Sequence, residues 1–156
     1  MKKIFLAVTC MATAFFQNTF AQDANSSVLL TSYYSIKDAL VSGNAAAASS
    51  NAEAFVKTAS GMDEKTLPPE NKNTLVNEAT QLSASKDIKQ QRELFASFSS
   101  DMAAFVKTTR LPGHPVYQQY CPMKKASWLS SSKAIKNPYF GNAMLTCGKV
   151  VEAINE

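Results

Sequence analysis

Two short stretches late in the chain, "YQQYCPM" at residues 117–123 and "MLTCG" at residues 144–148, each pair a cysteine with a methionine. Thiolate and thioether sulfurs are the donors that soft ions such as Cu(I) prefer, so two Cys and two Met from separate loops make a chemically sensible donor set. Cys121 and Met123 are two residues apart, which in extended backbone puts both side chains on one face. Met144 and Cys147 are three apart, which one helical turn places side by side. Both pairs can therefore point their sulfurs into a shared gap. The same residues admit a plainer chemistry. A Cys121–Cys147 disulfide would close a loop of about 26 residues and stabilise the domain by roughly 3 kcal/mol in the chain-entropy picture, with Met123 and Met144 as core filler. Composition alone favours the disulfide, because two lone cysteines in an exported chain usually pair.

His114, in "PGHP", lies seven residues before Cys121 and offers a nitrogen that would widen the choice to Zn(II) or Cu(II). A single histidine in such a loop is more often simply a solvated residue. As the only histidine, it leaves little basis for a Ser–His–acid or Cys–His arrangement, and Cys121 belongs to no C-x-x-C redox motif. Neither a glycine-rich phosphate loop nor H-E-x-x-H occurs. The sequence therefore predicts a binding or interaction protein and not an enzyme.

Export follows from the N-terminus. "MKKIFLAVTCMATAFFQNTFAQD" opens on Lys2 and Lys3, continues through an apolar stretch from Ile4 to Phe16, and presents Thr19 and Ala21 before Gln22, the pattern of a cleaved signal peptide over residues 1–21. Its apolar run is too short for a permanent membrane helix. Cys10 follows Ala7, Val8 and Thr9, a poor context for lipid attachment, so a periplasmic mature chain without stable membrane insertion is expected. Without Lys2 and Lys3 the chain holds 14 basic and 12 acidic residues, a balance that gives no reason to expect nucleic acid. About 135 residues remain, enough for one modest core and a single domain over 22–156.

The elements that must position the sulfurs are mostly helical. "SVLLTSYYSIKDALV" sets Leu29, Tyr33, Ile36 and Leu40 on one face, and Gly43 stops that helix. Asn44 then caps an alanine-rich helix with Ala48, Ala52, Phe55 and Val56 on one side. Pro68 and Pro69 break the chain and start a third helix running to Ala84. The strongest periodicity belongs to a fourth, with Ile88, Phe95, Met102, Phe105 and Val106 on one face and Ser85 or Asp87 as cap. Four amphipathic helices with short connections predict a mainly α fold, an antiparallel bundle of about four helices. Residues 111–156 hold four of the six prolines and both remaining cysteines, so this C-terminal segment is expected to be irregular. It should carry short β-strands near Val116–Tyr120 and Lys149–Ile154 and one helical turn near Asn142–Leu145. Trp128, Tyr139 and Phe140 should pin it to the bundle, while Lys124 and Lys125 read as surface charge.

Taken together, "YYSIKDALV", "DIKQQRELFASFS" and "YQQYCPM…WLSSSKAIKNPYFGNAMLTCG" resemble DUF3347, an exported bacterial domain family of uncharacterised function. The resemblance spans nearly the whole mature chain and is most specific in its last motif. Members stand alone or are attached to periplasmic adaptor subunits of heavy-metal efflux pumps, which implies copper or silver handling and such an adaptor or pump component as partner. "Y-x-x-Y-C-P-M" is also similar to the small metal-binding domains of those adaptors, although their motif continues with His-Pro where Lys124 and Lys125 stand here. Carried over position by position, the resemblance supports Cys121, Met123, Met144 and Cys147 as ligands for Cu(I), with Ag(I) or Zn(II) as alternatives. It sets metal binding ahead of the alternative, a structural or interaction module stapled by the Cys121–Cys147 disulfide.

Overall fold

The computed structural model describes residues 17–109 and 115–154, with side chains from Ser26 onward. The expected leader with Cys10 lies largely outside these residues, and His114 lies outside them altogether. Helix α1 spans Gln17–Ser42, α2 Ala45–Ser60, α3 Pro69–Ala84 and α4 Ile88–Thr109. Strands β1 (Val116–Cys121) and β2 (Ala126–Ser130) follow, then a 3-10 turn at Gly141–Ala143 and strand β3 (Lys149–Ile154). This is the expected mainly α bundle with a small C-terminal sheet. One boundary differs. α1 begins ten residues before the expected Ser27, because nothing from Gln17 to Ser42 is a glycine or proline that would stop a helix.

Local chemistry sets the other boundaries. After α1, Gly43 adopts φ 73°, and the Gly43 and Asn44 N–H groups donate to the Leu40 and Ala39 carbonyls at 3.2 and 2.9 Å. This left-handed cap satisfies carbonyls the helix would otherwise leave open. Asn44 immediately turns to its other task, its side chain accepting from the Ala47 N–H at 3.0 Å to begin α2. Pro69 opens α3 at a position where its missing N–H costs nothing. Of the two candidate caps for α4, Asp87 serves, with Oδ1 accepting from the Gln90 N–H at 2.8 Å.

The predicted faces point inward. Leu29, Tyr33, Ile36 and Leu40 of α1 are fully buried, as are Ala48, Ala52 and Phe55 of α2. Phe95, Met102, Phe105 and Val106 of α4 are buried, and Ile88 packs against them. Consecutive helices pack on one another, α1 on α2, α2 on α3 and α3 on α4. The alanine face of α2 permits that close approach. Gln91 is a polar residue in this interior. Its amide donates to the Ala45 and Ser85 carbonyls at 3.0 and 2.8 Å, tying the α3–α4 connection to the start of α2.

The sheet has order β2-β1-β3 and is antiparallel throughout. β2, absent from the sequence expectation, pairs Cys121 with Ala126 through Tyr117 with Ser130. It escapes sequence reading because the turn Pro122–Lys125 lacks the Asn-Gly or Asp-Gly signal of a tight hairpin and uses Lys125 at φ 55° instead. β2 packs on α4, and aromatic rings continue the bundle core into the sheet segment. Tyr33 stacks on Phe95 at 5.5 Å between centroids, Phe95 meets Tyr139 at 5.9 Å, and Tyr139 meets Trp128 edge-on at 6.0 Å. Trp128 and Tyr139 are buried and Phe140 half-buried, as their pinning role requires.

The buried Tyr33 hydroxyl joins three elements. It exchanges a hydrogen bond with Ser99 Oγ of α4 at 2.6 Å and accepts from the Leu129 N–H of β2 at 3.0 Å. Tyr33→Phe would leave that strand N–H buried and unpaired, so urea unfolding should show a loss of about 1–3 kcal/mol. Tyr34 is the matched control, because its buried hydroxyl has no hydrogen-bond partner. Tyr34→Phe should leave stability unchanged or raise it slightly, and equal losses in the two variants would contradict the assigned tie.

Candidate functional site

β1 delivers Cys121 to the end of the sheet, where its side chain is fully buried. Tyr120 pairs with Lys149 across β1 and β3, so the chain entering β3 passes directly beside Cys121. That entering chain carries Cys147. The two sulfurs stand 3.7 Å apart as free thiols, Cys147 half-buried. A disulfide requires about 2.05 Å, whereas two sulfurs at the corners of a tetrahedral site with bonds of about 2.3 Å lie about 3.8 Å apart. The separation thus matches two sulfurs flanking one ion, or two thiols in hydrogen-bonded contact.

Two residues put Cys147 there. Gly148 allows the close pass. A Cβ at that position would stand 2.7 Å from the Trp128 ring and 3.1 Å from the Tyr120 carbonyl oxygen. Asn137, fully buried, then fixes the turn by donating from Nδ2 to the Cys147 carbonyl at 2.7 Å and accepting at Oδ1 from the Tyr139 N–H at 2.8 Å. Its own backbone N–H donates to the Leu145 carbonyl at 2.8 Å. The Cys147 N–H bonds the Met144 carbonyl at 3.0 Å, which closes the single turn that the M-x-x-C spacing implies.

The methionines occupy different settings. Met123, in the β1–β2 turn, is 65% exposed, at the surface two residues from the buried Cys121. Met144 follows the 3-10 turn and is half-buried. Among the described residues no three His, Cys, Asp or Glu side chains gather as a metal group. A soft ion bound here would rest on the two thiolates, donors that suit Cu(I). Lys124 has a larger part than surface charge. Its N–H points at Cys121 Sγ at 3.5 Å, and its ammonium pairs with Glu93 of α4, fastening the turn to the bundle.

The thiols are electrostatically unlike. Burial pushes the Cys121 thiol up, but the Lys124 N–H, the Asn137 side chain, the Cys147 thiol and the Met123 N–H together hold it below the ordinary thiol range. Burial raises Cys147, and the hydrogen bond to Cys121 and the charge there raise it further. Both shifts favour Cys147 as donor and Cys121 as acceptor in the contact between them. Sequence reading missed Asn137, although "KNPY" carries an Asn-Pro turn signal that marks such a position. A surface hollow of about 310 Å³ bordered by Glu70, Asn71, Thr74 and Asp101 lies between α3 and α4 and shares no residue with the thiol pair.

The fold and site together define a four-helix bundle that carries a small antiparallel sheet with a paired-thiol site at its end. The chain belongs to the family described as "Protein of unknown function (DUF3347)", whose profile matches residues 29–113. That match covers most of the bundle and stops before β1, so all four candidate sulfur ligands lie beyond it. No curated protein and no solved structure matches the chain.

Asn137→Ala should cost about 2–4 kcal/mol, since it leaves the Cys147 carbonyl and the Tyr139 N–H without their partner. Because the turn carrying Cys147 would loosen, alkylation of Cys147 by iodoacetamide should accelerate under native conditions. A variant with full stability and unchanged alkylation would show that Asn137 does not hold the site.

Proposed function

We propose that the protein is a periplasmic carrier of Cu(I), or of Ag(I), that buffers the ion or delivers it to an export system. The observation that carries this reading is the juxtaposition of Cys121 and Cys147 at 3.7 Å beside an exposed methionine. Two thiolates bind the ion, and Met123 and Met144 add neutral thioether donors without adding charge. A half-buried Cys147 and an exposed Met123 suit handover by ligand exchange, in which an incoming donor replaces one sulfur before the next leaves. The receiving partner in this reading is a heavy-metal efflux adaptor or pump component, consistent with the setting in which the family resemblance places such chains. The bundle acts as a rigid mount for the site.

Titration of the reduced protein with Cu(I) against a competing chelator tests the reading. One ion per chain is expected, and Cys147→Ser should lower affinity by at least about a hundredfold, since even loss of a supporting residue around a metal costs about 10–100-fold. Met123→Leu should have the smaller effect. Failure to compete with a weak chelator would leave the disulfide-stapled interaction module as the better account, and thiol counting on protein purified without reductant would then find none.

The unlike thiols also predict a pH dependence. Cys147 is raised, so it holds its proton at neutral pH and must release it when metal binds. Apparent affinity should therefore rise with pH, about tenfold per pH unit for each proton displaced, until both sulfurs are ionised. A flat profile between pH 6 and 9 would contradict binding by both thiolates.

A further inference from the structure

We propose that the thiol pair is an ordered redox gate on the metal site, with Cys147 receiving an external disulfide and Cys121 resolving it. This rests on the metal reading above and adds the regulation of the same site. Access decides the order. Cys121 is fully buried between β2 and the chain entering β3, whereas Cys147 is half-buried on a surface turn, so a bulky disulfide reaches only Cys147. β1 is held on both sides by ladders and cannot carry Cys121 outward without breaking them. The turn Met144–Cys147 lies outside the ladders, so the small approach that bonding requires falls to it.

The chemistry balances with a disulfide co-reactant, X–S–S–X. The Cys147 thiolate attacks one sulfur of X–S–S–X, forming a mixed disulfide and expelling X–S⁻, which takes up the proton that Cys147 gave up. Cys121, 3.7 Å away in the starting state, then attacks the Cys147 sulfur and expels the second X–S⁻, which takes up the Cys121 proton. Both cysteines are oxidised by two electrons in total, and the co-reactant is reduced to two X–SH. The Lys124 N–H, which points at Cys121 Sγ at 3.5 Å and needs no proton on Cys147, stays in place in the mixed disulfide and favours the Cys121 thiolate for the resolving step. The resulting Cys121–Cys147 bond consumes both thiolate ligands, so oxidised protein releases the ion. Bound metal in turn shields the thiols, since the two events compete for the same lone pairs.

The experiment uses the full chain, reduced and then exposed to oxidised glutathione, with and without Ag(I), which does not change oxidation state here. Intact-mass and peptide mapping follow the products. Wild type should close to the intramolecular disulfide with the glutathione adduct only transient. Cys121→Ser, or Cys121→Ala where a buried hydroxyl impairs folding, should trap a stable adduct on Cys147. In Cys147→Ser the adduct on Cys121 should form at least about tenfold more slowly. Equal rates in the two single variants would overturn the order, and adducts on wild type without closure would overturn the gate. Ag(I) should slow closure at least about tenfold, and the oxidised protein should not bind it. Ordered closure at an unchanged rate in Ag(I) would overturn the metal reading and the coupling, while leaving the order of the two thiols established.

Discussion

The structure depends on one buried tyrosine hydroxyl. Tyr33 sits on the inner face of α1, yet its oxygen reaches Ser99 on α4 and the Leu129 N–H on β2, residues 66 and 96 positions away. A strand N–H facing a helical core has no water to satisfy it, so without an acceptor at that point the docking of β2 would carry the cost of one buried, unpaired polar group. With the acceptor in place, β2 lies on α4 and Trp128 and Leu129 are buried. β1 pairs outward from β2, and β3 outward from β1. The position of every sulfur in the candidate site is therefore inherited from the docking of β2. Aromatic packing supplies area, but the hydroxyl supplies register.

Within the sheet segment the site is a problem of bringing together two thiols separated by 26 residues. Hairpin pairing places Cys121 at the sheet end and the β1–β3 ladder brings residue 149 alongside residue 120. That would leave Cys147 free to swing, since it precedes the ladder. Gly148 removes the bulk that would hold the chain off Trp128, and Asn137 clamps the carbonyl of Cys147 itself. Both act on backbone, which explains how two flexible cysteine side chains are held side by side.

Much of the bundle was legible because its determinants are local. Gly43, Asn44, Pro69 and Asp87 each act within a few residues of their own position, and apolar spacing on α1, α2 and α4 reports burial directly. The start of α1 was less legible, for the absence of a stop signal is not a positive mark of continuation. β2 was invisible because its turn depends on Lys125 in a left-handed conformation that the residue type does not advertise. Tyr33 reads from the sequence only as a member of an apolar helix face, and nothing in the sequence singles out Gln91. Their partners lie 46 and 96 residues off, beyond any periodicity. The four sulfurs were identifiable by type, but the unlike state of the two thiols arises from hydrogen bonds that only the folded turn creates.

The place where the motif departs from the adaptor metal-binding domains it resembles can now be given a physical meaning. Those domains continue with histidine where Lys124 stands, and a lysine ammonium is no ligand for a soft ion. Lys124 instead spends its side chain on Glu93 of α4 and its N–H on Cys121 Sγ. A position that elsewhere resembles a donor serves here to hold the turn and to favour the thiolate of its neighbour. In the carrier reading the second strong donor would come from elsewhere in the chain, and the turn entering β3 places Cys147 beside Cys121. Since the family profile ends at residue 113, membership accounts for the bundle, and the candidate site rests on Cys121 at the end of β1 and Cys147 in the turn before β3. In the carrier reading proposed above, an exchange of one imidazole for one thiolate would raise the negative charge of the donor set and tie metal affinity to the redox state of a cysteine pair.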